Sequence, residues 1–192
     1  ITDQDGNLFT LPIDMDLTGI IYNVNVLKEA GVNVDDIKTW ADFETACEQI
    51  KEAGKTPIQL GGKDNYTIGN MMDFVAPTLI TNQDEANQQA LLDGSFDWSK
   101  WNTVVEMIDS WRQKGYFNTD AVTADYMTGI KALAAEKAAF MFTAASGITE
   151  TYVQNPDTEM GFMPLPAREE GLKQALMTGE HFAVGMSKTT EH

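Results

Sequence analysis

One cysteine and two histidines are all the soft-ligand chemistry in 192 residues. Cys47 has no second cysteine with which to close an internal disulfide. No other Cys or His stands near it at metal-ligand spacing, so no metal and no cofactor are expected. Lack of disulfides fits the cytosol and equally fits a bacterial protein exported without cysteines. A buried, inert thiol on an apolar helix face is the expectation for Cys47.

Positive charge is also scarce. Thirteen Lys and Arg against twenty-nine Asp and Glu leave a formal net charge of −16. Such a chain lacks the phosphate-neutralising surface that nucleic-acid binding requires, so no nucleic-acid partner is expected. The same charge opposes docking on anionic lipid and suits a neutral or cationic ligand. No apolar run approaches the roughly 18 residues that span a bilayer. The chain starts at ITDQDGN without a Met and stops at SKTTEH just after an apolar segment. It reads as a piece of a longer protein, with any export signal or lipid anchor expected outside it.

What is present fits a packed domain. A hydrophobic fraction of 43%, with nine Phe, four Trp and ten Met, supplies a substantial core at this length. DQDGN is a tight turn, with Gly6 at positive φ, feeding a strand through LFTLPI. TGIIYNV reads as a second strand and NVLKEAG as a short helix ended by Gly31. Thr39 and Asp42 form a capping box; Phe43, Ala46, Cys47 and Ile50 then recur on one helical face until Gly54. TPIQLGG is a buried strand. Helices follow over Thr67 to Ile80, kinked or shortened by Pro77, and over Asp84 to Leu92.

Trp101, Val104, Val105, Ile108 and Trp111 make an amphipathic stripe closed by Gly115. A helix near Asp125 to Glu136, a strand KAAFMFT, a helix near Ser146 to Gln154 and strands ending at GFMPLP and HFAVGM complete the pattern. Strands alternate with helices and no repeat is visible, which points to α/β or α+β.

The most suggestive chemistry is LPIDMDLTGIIYN, where Asp14, Asp16 and Thr18 form a D-x-D-x-T pattern. In a dehalogenase-type phosphatase the first Asp is the nucleophile and the second a general acid. That chemistry also needs a later Lys and a downstream acidic pair for Mg²⁺. Here the only adjacent Asp pair, Asp35 and Asp36, comes too early, and Pro12 is awkward in a central strand. No G-x-S-x-G, no phosphate-binding G-x-x-x-x-G-K-[ST] and no H-E-x-x-H occurs. A glycosidase-like carboxylate pair, such as Asp16 with Glu180, stays open because its separation is not readable from sequence.

Taken in order, DGNLFTLPIDMDLTGIIYN, TWADFETACEQIKEAGKTPIQLGG, GYFN, AAEKAAFMF and FMPLP with FAVGMSK resemble family 1 bacterial extracellular solute-binding proteins of the maltose-binding-protein type. These are the carbohydrate receptors of ABC importers. The resemblance covers nearly the whole chain. It implies a periplasmic-binding-protein-like α/β fold of type II, helix-rich around a small mixed sheet. It also implies that residues 1–192 are one C-terminal-type lobe of a two-lobed receptor, non-catalytic and monomeric, serving a membrane permease from outside the cell. The parent would be a periplasmic protein or a cell-surface lipoprotein.

The resemblance carries site roles to particular positions. Asp16, six residues before Tyr22-Asn23, falls where similar receptors hold sugar hydroxyls with a carboxylate, and Asp14 lies beside it. Asp64 and Tyr66, with Asn65 between, follow TPIQLGG where an acid and a stacking aromatic are found. The family's stacking tryptophan after G-K-A-A-M is replaced by Ala144, Ala145 and Ser146; either another aromatic, Tyr66 or Phe182, supplies the platform, or the ligand is smaller or not a simple pyranose. TGEHF corresponds to a glycine-rich cleft turn, which nominates Gly179, Glu180 and His181. Two other classes stay open: an acidic-residue hydrolase, and a receptor of the same fold for a polyamine, amino acid or peptide.

Overall fold

The computed structural model describes residues 5–8, 10–81, 84–180 and 182–185. In chain order the strands and helices are β1 (Leu11–Pro12), β2 (Met15–Asn23), α1 (Val24–Glu29), α2 (Trp40–Glu52), β3 (Thr56–Ile58), α3 (Tyr66–Ala76), α4 (Glu85–Asp93), α5 (Asn102–Gln113), α6 (Tyr126–Ala134), β4 (Ala138–Ala144), α7 (Ser146–Gln154), β5 (Met160–Met163), β6 (Met177–Glu180) and β7 (Ala183–Val184).

The main sheet runs β3-β4-β2-β5, with β6 also on β2. β3 and β4 are parallel, whereas β2 is antiparallel to β4, β5 and β6. The sheet is therefore mixed and helix-covered, as the alternating pattern implies. Side chains of neighbouring strand residues point to opposite faces, and the two faces build two cores. Ile20, Phe140 and Phe142 face α2, α3 and α5, while Ile21 and Met141 face Ile130 and Leu133 of α6.

The larger core is aromatic. Phe43 packs on Phe140 with centroids 4.9 Å apart, and Trp40 lies 5.6 Å from Trp111. Both buried indoles keep a partner: Trp40 Nε1 donates to Thr78 Oγ1 at 2.8 Å and Trp111 Nε1 to Glu44 Oε1 at 2.9 Å. The α2 stripe is as expected, with Phe43, Ala46, Cys47 and Ile50 buried behind the Thr39 and Asp42 capping box. Burial acts to raise the Asp42 pKa. The Thr39 hydroxyl and the Thr39 and Lys38 N–H groups outweigh it and hold the carboxyl below its usual range. The cap therefore stabilises the fold at neutral pH and fades as pH falls through that lowered pKa.

Some boundaries differ from the sequence expectation, with physical causes. The helix entering at Tyr66 ends at Ala76, and Pro77–Thr81 widens into a π-helical turn. Pro77 has no N–H to return to the preceding turn. Among the described residues of LFTLPI the strand is short, Leu11–Pro12, in a two-stranded sheet with β7, where a proline is tolerated at an edge. Of the α5 stripe, Val104 and Trp111 are buried but Val105 is exposed.

Asn23 locks the sheet to both its neighbours. Fully buried, it accepts from Val26 N at 3.0 Å as the N-cap of α1. Its amide also donates to Leu133 O at 2.9 Å and to Thr158 Oγ1 at 3.1 Å. Replacing Asn23 by Ala strands these groups and should cost about 2–4 kcal/mol in urea unfolding. Cys47 is fully buried, and burial first, then the Glu44 and Glu48 carboxylates, push its pKa well above the ordinary thiol value. A thiol reagent should modify it only after denaturant is added.

Candidate ligand-binding site

Parallel strands end on the same edge of a sheet. β3 and β4 are such a pair, and each leads there into a helix, β3 into α3 and β4 into α7. α6 begins at the same place. The first residues of these three helices, Tyr66, Tyr126 and Ser146, consequently meet around one open cavity of about 400 Å³. That volume lies within the ~300–1,000 Å³ typical of small-molecule sites, and the C-terminal strand edge is where open α/β sheets bind ligands.

β2 supplies the cavity's floor. Asp16 and Thr18, two apart and so on one face, both line it. Gly179 of β6 stands opposite Asp16 in the ladder and leaves space above the carboxylate. Ser146 Oγ donates to Asp16 Oδ2 at 3.2 Å, which fixes one carboxylate oxygen and leaves the other lone pairs for hydroxyl donors. Neither α3 nor α7 has a side-chain cap, so both present their positive ends near the cavity without a competing side-chain acceptor.

Two tyrosines and a glutamate form the far side. Tyr126 Oη lies 3.5 Å from Thr143 Oγ1. Burial, then the adjacent Glu150 carboxylate, push its pKa far up, with only Thr143 opposing. Burial also raises the Tyr66 pKa, helped by Asp64 and Glu150. Both phenols stay protonated at neutral pH and keep a hydrogen to donate. Tyr66 is 52% exposed, so its ring face is available for stacking on an apolar sugar face.

Two glycines permit this approach. A Cβ on Gly61 would lie 2.8 Å from the carbonyl C and O of Asp125 and from N of Tyr126, all rigid backbone. A Cβ on Gly147 would crowd Ile21 Cδ1 and Thr143 Cγ2 at 3.1 Å and Tyr126 Oη at 3.3 Å. The first lets the loop after β3 lie against the start of α6. The second lets α7 settle onto the sheet.

Asp16, Tyr66, Ser146 and Gly179 thus share one cavity. Among the described residues lining it, Asp14, Asp64 and Asn65 do not figure. Asp14 Oδ1 accepts from Phe182 N at 2.7 Å and so ties the approach to β2 to the segment after β6. Asp64 Oδ2 accepts from Tyr126 N at 2.8 Å, holding α3 and α6 together behind the tyrosines. Asn65 is the exposed N-cap of α3 with no capping hydrogen bond from its side chain. Glu180 is the last residue of β6, opposite Met15. TGE forms strand, not the expected glycine-rich turn, because Thr178 and Gly179 pair with Leu17 and Asp16. His181 lies outside the described residues. Phe182 is exposed and does not line the cavity.

Tyr126, Thr143 and Glu150 were not nominated from sequence, and Thr18 was noted only as part of the D-x-D-x-T pattern. Its place in the cavity was legible as the residue two beyond Asp16 on one strand face. Larger hollows of about 630, 590 and 480 Å³ lie elsewhere. The first is flanked by Lys55, Lys131 and Lys137, the second lies beside Lys38 and Glu169, and the last is chiefly apolar, between α3 and α5. None of them is lined by an exposed aromatic ring, as the cavity at Asp16 is by Tyr66. Among the described residues no cluster of three His, Cys, Asp or Glu side chains could hold a metal ion.

Residues 1–192 match the family described as bacterial extracellular solute-binding protein. The chain belongs to that family. Within the solute-binding family it is 28% identical, over 98% of its length, to the melibiose/raffinose/stachyose-binding protein MelE of Bacillus subtilis, covering 45% of that protein. It is 24% identical to the multiple sugar-binding protein of Streptococcus mutans, over 96% of this chain and 44% of the other. A sugar transporter protein from Bacillus licheniformis, solved in complex with stachyose, superposes with a TM-score of 0.88 at 30% identity, covering 100% of this chain and 50% of that one. The raffinose complex of RafE shares the fold at 23% identity and TM-score 0.76, over 98% of this chain and 49% of RafE. The fold of this solute-binding family member is therefore periplasmic-binding-protein-like α/β, and the chain spans about half the length of these relatives.

Gly61→Ala tests the glycine clearance in this family member. Backbone cannot yield cheaply to a Cβ, so the substitution should cost about 1–3 kcal/mol in thermal or urea unfolding. Tyr66 should simultaneously become more mobile, read as narrower, sharper ring signals in NMR spectra.

Proposed function

We propose that this chain is one lobe of a two-lobed sugar receptor of an ABC importer, and that the cavity at the strand edge is its half of the ligand site. The observation that carries this is the gathering of Asp16, Ser146, Gly179 and the exposed Tyr66 around one open cavity. A carboxylate takes two hydroxyl hydrogen bonds, an aromatic face covers the C–H side of a pyranose, and phenol and serine hydroxyls serve as donor or acceptor. Those are the needs of a neutral polyol. Names of the relatives, with melibiose, raffinose and stachyose among their ligands, support a galactoside oligosaccharide as the class.

In this reading the facing lobe lies on chain beyond the 192 residues, and hinge closure would bring it over the cavity and exclude water. The receptor acts outside the cell, as a periplasmic protein or surface lipoprotein, and hands its sugar to a membrane permease. It performs no chemistry on the ligand. The chain supports a binding rather than a hydrolytic role, since Asp16 is tied to the Ser146 hydroxyl and the D-x-D-x-T pattern is divided: Asp14 bonds to Phe182 N, and Asp16 turns into the cavity.

Calorimetric titration of the receptor carrying both lobes with melibiose, raffinose and stachyose tests this. At least one should bind, and Asp16→Ala should weaken it by one to two powers of ten, roughly 1.4–3 kcal/mol. Absence of binding by all three, together with turnover of a chromogenic galactoside, would replace the receptor with a hydrolase.

A further inference from the structure

One carboxylate at the cavity is only partly satisfied within the protein. Glu150 lines the cavity, yet its Oε2 is closed to solvent and makes no close hydrogen bond. Buried polar atoms are nearly always paired. The Tyr126 hydroxyl bears on this carboxylate but is shared with Thr143, which leaves room for a donor from a ligand.

The position of Glu150 on α7 indicates where that partner sits. Ser146 and Glu150 are four apart, hence on one face of the helix, and Ser146 Oγ already reaches Asp16. The helix thus carries its carboxylate to the same cavity that Asp16 enters from the strand. Tyr66 and Tyr126 both register the Glu150 charge in their raised pKa values, so the carboxylate is near both phenols. The terminal torsion of a glutamate is broad, so a partial turn about the Cγ–Cδ bond lets the carboxylate plane adjust to a hydroxyl arriving in the cavity at little cost.

We propose that Glu150 is a second ligand-binding carboxylate, accepting from a hydroxyl of a neutral sugar residue whose other hydroxyls are held by Asp16. This rests on the sugar-receptor reading above and deepens it: the lobe selects by two acceptors on different elements. A ligand lacking the hydroxyl that Glu150 meets leaves a buried carboxylate oxygen unpaired, which penalises it more than the loss of one contact.

The test uses the receptor carrying both lobes, with raffinose and its monodeoxy derivatives in the galactosyl ring as probes, against wild type, Glu150→Ala and Glu150→Gln. Glu150→Ala should weaken raffinose roughly tenfold to a hundredfold, with Glu150→Gln intermediate because it keeps one acceptor. One monodeoxy derivative should bind wild type poorly yet bind Glu150→Ala as well as raffinose does, the coupling expected of a direct contact. Without sugar, Glu150→Ala should unfold near the wild-type temperature, because the Tyr126 hydroxyl keeps Thr143 as a partner.

An unchanged raffinose affinity in Glu150→Ala overturns the inference and leaves the receptor reading intact. So does a lowered unfolding temperature with raffinose and every deoxy derivative weakened in proportion, which marks Glu150 as a prop between α6 and α7. If wild type binds none of melibiose, raffinose and stachyose, the receptor reading falls and this inference falls with it.

Discussion

The strand Met15–Asn23 governs the rest of the structure through its pairing register. Its inner part, Ile20 to Tyr22, is paired on both edges, by β4 and β5, and sends Ile20 into one core and Ile21 into the other. Its outer half carries Asp16 and Thr18 into the cavity. A slip of one residue would exchange the two faces along the whole strand, sending Ile20 and Ile21 each into the core shaped for the other and turning Asp16 away. The core therefore fixes the direction of the site residues. Asn23 sets the phase at the inner end through three buried hydrogen bonds, and the aromatic packing on Phe140 and Phe142 holds the neighbouring strand.

Topology brings the other side chains to the same place. Because β3 and β4 run parallel, the helices that follow them must start at one edge, whatever their sequences contain. Asp64 then joins the two helices that carry the tyrosines by accepting from Tyr126 N, and Gly61 allows the approach. An acid nominated as a ligand contact is thus employed one layer behind it. Its hydrogen bond goes to a backbone N–H at a helix start, a position where a negative charge is stabilising in itself.

Local features of the sequence carried the fold far. The Thr39 and Asp42 box, the α2 stripe, and the glycines at 31, 54 and 115, which adopt positive φ, depend on groups within a turn of each other and were legible. The order of strands and helices was legible for the same reason. Glu150 was not, since one glutamate among twenty-nine acidic residues is unremarkable until α7 is laid on the sheet. Tyr126 looked like any residue at a helix start, and its relation to Tyr66 exists only through long-range packing. TGE reads as a turn only through the resemblance, which sets TGEHF against a glycine-rich cleft turn. In the folded chain Gly179 clears space over Asp16 inside a strand.

The charge of the chain bears on what the cavity selects. A net charge of −16 raises the local concentration of cations, and Asp16 and Glu150 alone would favour a polyamine as readily as a sugar. The surroundings separate the two. An ammonium ion only donates, so the hydroxyls of Ser146, Thr18, Tyr66 and Tyr126 could answer it only as acceptors, leaving their own hydrogens to find other partners. A sugar hydroxyl donates to a carboxylate and accepts from a phenol or serine at the same time. Every polar group on the cavity wall can then be used at once, and the exposed ring of Tyr66 covers the apolar face that a flexible polyamine does not possess. Under the proposed function, hydrogen-bond matching therefore favours the neutral ligand over the charged one, although the net charge alone points the other way.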